Sequence, residues 1–152
     1  MIRQPRDSDQ AFVASTWVRS MVSTHAHKAV PHHQRRHGLD RSMGAPIGRQ
    51  VNAYVDRLMD LPGSRCLITA WDENDDVILG WIAFGVNQPC PTVHYLWVRQ
   101  MERGKGIARA MLEVIGVEPG VPVICTSHGP SSDAMRSAYR GSRYVPIEEF
   151  LK

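Results

Sequence analysis

The stretch of this 152-residue chain best suited to chemistry is Arg103-Gly104-Lys105-Gly106-Ile107-Ala108. A strand-like run, Val93-His94-Tyr95-Leu96-Trp97-Val98, precedes it. A helical pattern with Ile107, Met111, Leu112 and Ile115 on one face follows. The start of a helix exposes backbone N–H groups that have no partner inside the helix. The helix dipole adds partial positive charge there. Glycines let an anion approach the backbone closely. Arg103, Lys105 and Arg109 add full charges. Together these residues predict a cradle for a pyrophosphate.

Two familiar phosphate loops do not fit. A Walker A loop needs Ser or Thr after its lysine, and Lys105 is followed by Gly106. A dinucleotide fingerprint needs a third glycine where Arg109 stands, and this turn follows three earlier strands. Two histidines flank the region. His94 lies on the strand before the cradle, and His128 ends the neighbouring strand-like run Val121 to Ser127. Imidazole has the intrinsic pKa of a general base. A purely structural role for each stays open.

The elements that would position these residues follow from periodicity. Ile2 to Pro5 reads as a short strand, and Asp7, Ser8 and Asp9 offer helix caps. Val13, Trp17 and Met21 give an amphipathic helix over about 9–23. Residues 25–48 carry Pro31, Gly38, Gly44, Pro46 and Gly48 and read as a long loop. A second helix over 48–60 places Val51, Tyr54, Val55, Leu58 and Met59 on one face. Strands over 66–71 and 77–86 flank the polar turn 72–76 and form a hairpin. A helix from about 131 to 140 and a short strand over 143–147 close the chain. The order is β-α-α-β-β-β-α-β-α-β, a mixed α/β single domain spanning 1–152.

Composition narrows the class. A hydrophobic fraction of 43% and a charged fraction of 22% exclude a mainly disordered or collagen-like chain. No apolar run approaches a membrane span, so no membrane association is expected. Cys66, Cys90 and Cys125 are odd in number and lack metal-type spacing, which points to a reducing, cytoplasmic setting. The net charge of +3 is uneven: residues 1–50 hold eight Lys/Arg against three Asp/Glu. That excess suits an anionic partner such as nucleic acid, or a solvated face, with nucleic acid the less favoured. His33 and His37 are four apart, but no cysteine or acidic residue joins them at ligand spacing, so no metal is expected. Trp17, Trp71, Trp81 and Trp97 read mostly as core.

Arg103-Gly104-Lys105-Gly106-Ile107-Ala108 fits the pattern Arg/Gln-x-x-Gly-x-Gly/Ala. In that motif, in Leu96-Trp97-Val98 before it, and in the order of elements, the chain resembles the GNAT superfamily of acyl-CoA N-acyltransferases. Ile2-Arg3 with Asp9 looks like the family's first strand and helix start. The wording from Val93 to Ala108 is most similar to small phage-encoded members, which would place the protein in a host cytoplasm.

The resemblance implies acetyl-CoA as co-substrate and transfer of its acetyl group to an acceptor amine by direct attack. The backbone of Leu96, Trp97 and Val98 would pair with pantetheine. The N–H groups of Gly104, Lys105, Gly106, Ile107 and Ala108 would hold the pyrophosphate, with Arg103, Lys105 and Arg109 adding charge. Strands 93–98 and 121–127 would part to seat the thioester, and Trp97 would flank it. Tyr139 would protonate the leaving thiolate. Only Tyr139 and the aromatic Tyr144 match the family's later motif, since Ser132, Met135 and Ala138 depart from it. The chain ends soon after Tyr144, so a last strand would be missing or supplied by a partner, for instance in a homodimer. Loop 25–48 would be an acceptor-binding lid, and Arg35-Arg36 would suit an anionic acceptor. Two other readings stay open: a non-catalytic module on this fold, and a nucleobase-modifying protein gripping nucleic acid with its basic first fifty residues.

Overall fold

The computed structural model describes residues 1–27, 47–86, 90–118, 120–127, 135, 138–139 and 141–145, and the side chains of all these except 22–27, 47, 48, 50, 51 and 54. Strand β1 (Ile2–Arg3) leads into helix α1 (Asp7–His27). Helix α2 (Ile47–Asp60) and strands β2 (Ser64–Ala70), β3 (Ile78–Gly85) and β4 (Thr92–Val98) come next. A 3-10 turn (Gln100–Glu102) opens into helix α3 (Ile107–Val114). Strands β5 (Ile124–Cys125) and β6 (Arg143–Tyr144) complete one six-stranded sheet in sequential order. β1 to β4 pair antiparallel, while β4–β5 and β5–β6 pair parallel. The expected mixed α/β order is what forms. Of the expected last helix, Met135 and Ala138 are helical, Tyr139 forms a bend, and the rest lies outside the described residues.

Helices cover both faces because the central strands alternate. Cys66, Ile68, Trp81 and Ala83 face α1 and α2, where Val13, Trp17, Met21, Val55 and Leu58 meet them. Leu67 and Ile82 face α3, against Met111 and Leu112. Trp17, Trp81 and Tyr95 stack with centroids 5.2 to 5.5 Å apart. Such aromatic pairs add about 1 kcal/mol each beyond burial. Trp81 Nε1 donates to Thr16 Oγ1 at 3.0 Å, which fixes the height of α1 over β3.

Strand β4 breaks the alternation. Tyr95 and Trp97 join the α1 side, while Val93, Leu96 and Val98 join the α3 side. A period of two would put Val93 with Tyr95. The register explains the switch: Ala83 pairs with Tyr95 and the next residue, Phe84, pairs with Val93. His94 is the extra residue of a β-bulge.

Three expectations change. Trp71 is 49% exposed: β2 ends at Ala70, and Trp71 opens the hairpin turn with its N–H bonded to Val77 O at 3.0 Å. Met59 is exposed rather than core. The strand expected over 121–127 shrinks to Ile124–Cys125. Val121 N–H is taken by Glu118 O in a turn, Pro122 has no N–H, and Val123 N–H goes to Ser142 Oγ. α1 also runs on through 25–27, residues expected to open the long loop, and the remainder of that loop to residue 46 lies outside the described residues. Among the described residues no helix is long and apolar enough to cross a membrane.

A buried ion pair closes the N-terminal corner. Asp9 accepts from Arg3 Nη1 at 2.6 Å and Nη2 at 3.2 Å, and from the Arg6 backbone N–H at 2.7 Å. The last bond is half of a capping box at the start of α1. Arg3 Nη2 also donates to Asp75 O at 2.9 Å, which ties the β2–β3 turn to the same point. Hydrogen bonding from Arg3, working against burial, holds the Asp9 carboxyl below the usual range. A depressed carboxyl stabilises above its unfolded value and loses that contribution as pH falls through its folded value. Asp9→Ala strands a buried arginine and is expected to cost about 3 kcal/mol at neutral pH. The gap to wild type should narrow below about pH 4. Urea denaturation at several pH values measures both.

Candidate functional site

The glycine turn adopts the conformation its composition demands. Gly104 and Gly106 have φ of 81° and 82°, in the left-handed region. Other L-residues there incur about 1–2 kcal/mol. Gly106 is the N-cap of α3, and no side chain caps the helix. Added Cβ atoms at Gly104 and Gly106 would meet no heavy atom within 4 Å, so the turn borders open space. Arg103 Nε donates to Val98 O at 3.3 Å and folds the turn back onto the end of β4.

That space is a cavity of about 650 Å³. Leu96, Trp97 and Val98 form one wall, and Arg103, Gly104, Gly106, Ile107, Ala108 and Arg109 form another. Met135, Ala138 and Tyr139 face them. The cavity exists because β4 and β5 part. Their register pairs only Thr92 with Ile124 and Val93 with Cys125. Ile124 N–H bonds to Pro91 O at 3.0 Å and Thr126 N–H to Val93 O at 3.1 Å. Among the described residues none pairs with that edge of β4 beyond this point, and Tyr95, Leu96, Trp97 and Val98 border the cavity.

Of the residues expected to bind the cofactor, Leu96 to Val98 and Arg103 to Arg109, only Lys105 is absent from the lining. Its ammonium sits 2.9 Å from Glu102, which does line the cavity. Arg109 pairs with Glu113 at 2.8 Å. Both pairs are exposed and worth at most about 1 kcal/mol. Tyr139 lines the cavity, with its N–H bonded to Met135 O at 2.8 Å.

His94 does not line the cavity. It is 2% exposed, with Nδ1 2.9 Å from Thr126 Oγ1 and Nε2 3.4 Å from Ser64 Oγ. Burial pushes its pKa down to about 4, so the ring is neutral at pH 7. His128, His32, His33 and His37 lie outside the described residues. Among the described residues no cluster of three metal-ligating side chains exists.

Sequence reading missed three contributors. Tyr95 and Ser20 line the cavity and share a hydrogen bond of 2.6 Å. Burial raises the Tyr95 phenol, partly offset by the bond with Ser20. Gly80 lies beneath the site, where a Cβ would stand 2.9 Å from Trp97 O and 3.1 Å from Ile107 Cγ2. A glycine inside a strand is a readable sign of close backbone approach. Here it lets α3 settle against β3 and the end of β4.

The family model of the acetyltransferase (GNAT) family matches residues 31–115, which include β4, the glycine turn and α3. The chain belongs to the GNAT acetyltransferase family. No curated protein matches it in sequence. Among solved structures, an acetyltransferase from Thermus thermophilus is similar at 18% identity and a TM-score of 0.52, over 95% of this chain and 87% of that one. The PaiA N-acetyltransferase of Thermoplasma acidophilum, solved in complex with coenzyme A, is similar at 13% identity and a TM-score of 0.50, over 90% and 84%. An aminoglycoside 6'-N-acetyltransferase complexed with coenzyme A aligns at 12% identity and a TM-score of 0.46, over 76% of this chain. The chain spans about half of that protein, 52%. At these identities the likeness is one of fold.

For this GNAT acetyltransferase, two outcomes test the geometry. The His94 ring resonances should stay unshifted in an NMR titration between about pH 5 and 8, where a solvated histidine titrates. Gly80→Val should lower stability by about 2 kcal/mol through overpacking between β3, β4 and α3, read by thermal denaturation.

Proposed function

We propose that this protein is an acetyl-CoA-dependent N-acetyltransferase. The observation that carries the reading is the uncapped start of α3, whose left-handed glycines open onto a cavity walled by the parting edge of β4. Membership in the GNAT family and the coenzyme A complex of the PaiA enzyme support it.

In this reading the N–H groups from Gly104 to Ala108 hold the pyrophosphate, and Arg103, Lys105 and Arg109 neutralise it. The backbone of Leu96 to Val98 pairs with the pantetheine amides as an added strand would. A neutral acceptor amine donates its electron pair to the thioester carbonyl carbon, whose oxygen is polarised by backbone N–H groups. The C–S bond then breaks, the sulfur takes a proton from Tyr139, and the amine nitrogen releases its own proton to water. Solvent returns a proton to Tyr139, so the products are the N-acetyl amine and free CoA thiol. His94, buried and held neutral, belongs to the scaffold in this scheme.

Isothermal titration is expected to show acetyl-CoA binding in about the micromolar range. Gly106→Val should weaken that binding by about a hundredfold or more while costing only about 1–2 kcal/mol of stability. A Cβ there would meet no heavy atom within 4 Å beyond its chain neighbours, and in this reading the side chain would stand in the place of the phosphates. A wild-type protein that binds neither acetyl-CoA nor CoA would sink the reading.

A further inference from the structure

We propose that His94 is a positioning residue, clasping β4 to Thr126 at the point where the two strands part and so setting the width of the groove. That the groove holds acetyl-CoA rests on the function proposed above; the clasp itself does not.

His94 is the one residue of β4 that the β3 register skips. A bulge can slide by a residue unless something pins it, and a slide would exchange the two faces of the strand beyond. Here that would turn Tyr95 and Trp97 away from α1 and rebuild the cavity wall. The pin is the buried imidazole. Ser64 Oγ donates its single proton to Leu58 O at 2.6 Å, so toward His94 it can only accept. The proton on the ring is therefore on Nε2, which faces Ser64 at 3.4 Å. Nδ1 is then an acceptor, and the Thr126 hydroxyl donates to it at 2.9 Å. The same Thr126 gives its backbone N–H to Val93 O at 3.1 Å. One residue thus holds the bulge by two bonds, one to the backbone before His94 and one to its ring. The next residues of β4, Tyr95 and Leu96, already line the cavity.

Ser64 provides the control. It touches the other ring nitrogen, loosely, and has no part in the β4–β5 junction. Losing Ser64 should leave the groove and the exchange of the β4 amides nearly unchanged.

The test compares wild type with Thr126→Val, Thr126→Ser, His94→Asn and Ser64→Ala. Thr126→Val keeps the shape but removes the donor. Thr126→Ser restores it, and Asn offers an acceptor where Nδ1 stood. Amide hydrogen exchange is measured on the ligand-free protein, and acetyl-CoA affinity by titration. Thr126→Val is expected to speed exchange of the Thr126 amide and of the β4 amides about tenfold, and to weaken acetyl-CoA binding about tenfold. Thr126→Ser, His94→Asn and Ser64→Ala should stay within about twofold on both measures. Unchanged exchange in Thr126→Val overturns the clasp. Equal effects in Ser64→Ala overturn it too, since they would mean general loosening. Faster exchange with unchanged affinity overturns the positioning role. If wild type fails to bind acetyl-CoA, the functional reading falls, and the exchange data alone decide for or against the clasp.

Discussion

Strand β4 has to serve two masters within seven residues. At its start it must pair with β3 on one side and β5 on the other, and by its end it must leave one edge free as the wall of a cavity. The extra residue at His94 makes that change, because it reverses which side chains face α1 and which face α3. Once reversed, Tyr95 and Trp97 are captured by α1, through the stack with Trp17 and Trp81 and the edge contact between Phe12 and Trp97 at 5.6 Å. Leu96 and Val98 are captured by α3. The strand is therefore gripped from both faces while its β5 edge stands open, and it does not need that edge to stay in place.

The helix that carries the glycine turn depends on the same strand. Gly80 on β3 allows the first turn of α3 to come close to Trp97 O, and Arg103 reaches back to Val98 O. Both contacts are with backbone. Whatever fixes the path of β4 therefore also fixes the direction in which the free N–H groups of α3 point. The Arg3–Asp9 pair does similar work at a distance, since it seats the start of α1 against β1 and the β2–β3 turn. With α1 seated there, Trp17 and Thr16 reach β3 at the right height.

Local signals were the legible ones. The glycine turn, the helix face after it and the order of strands and helices could all be read, because each depends on neighbours within a few residues. Left-handed φ at Gly104 and Gly106 is a property of the turn itself. The burial of His94 was not legible. A histidine on a strand beside a phosphate cradle has the chemistry of a base, and only the bulge sends it into the sheet. That bulge depends on pairing with β3, whose register is invisible from β4 alone. Trp71 misled for a related reason: composition made it core, and the turn of the hairpin exposed it. The strand over 121–127 was overdrawn because Pro122 and the turn at Glu118 remove donors that apolar composition does not reveal. Gly80 was readable in principle as a glycine inside a strand, but nothing local says what presses on it.

The uneven charge also resolves differently in three dimensions. The first fifty residues carry the basic excess, yet two of their arginines already have carboxylate partners. Arg3 is spent on Asp9, and Arg6 meets Asp75 and Asp76 in the turn that sequence alone marks only as polar. Asp9 is already in the count of those fifty residues, so only the exposed contact of Arg6 with Asp75 and Asp76 brings in acidic charge from farther along the chain. Around the glycine turn the logic is reversed. Lys105 and Arg109 have carboxylate partners, but these are exposed pairs about one helical turn apart, which hold the cations ready without burying them. These cations stand beside the start of α3, whose first N–H groups have no partner inside the helix. The helix dipole and these cationic side chains act at the same end of the cavity.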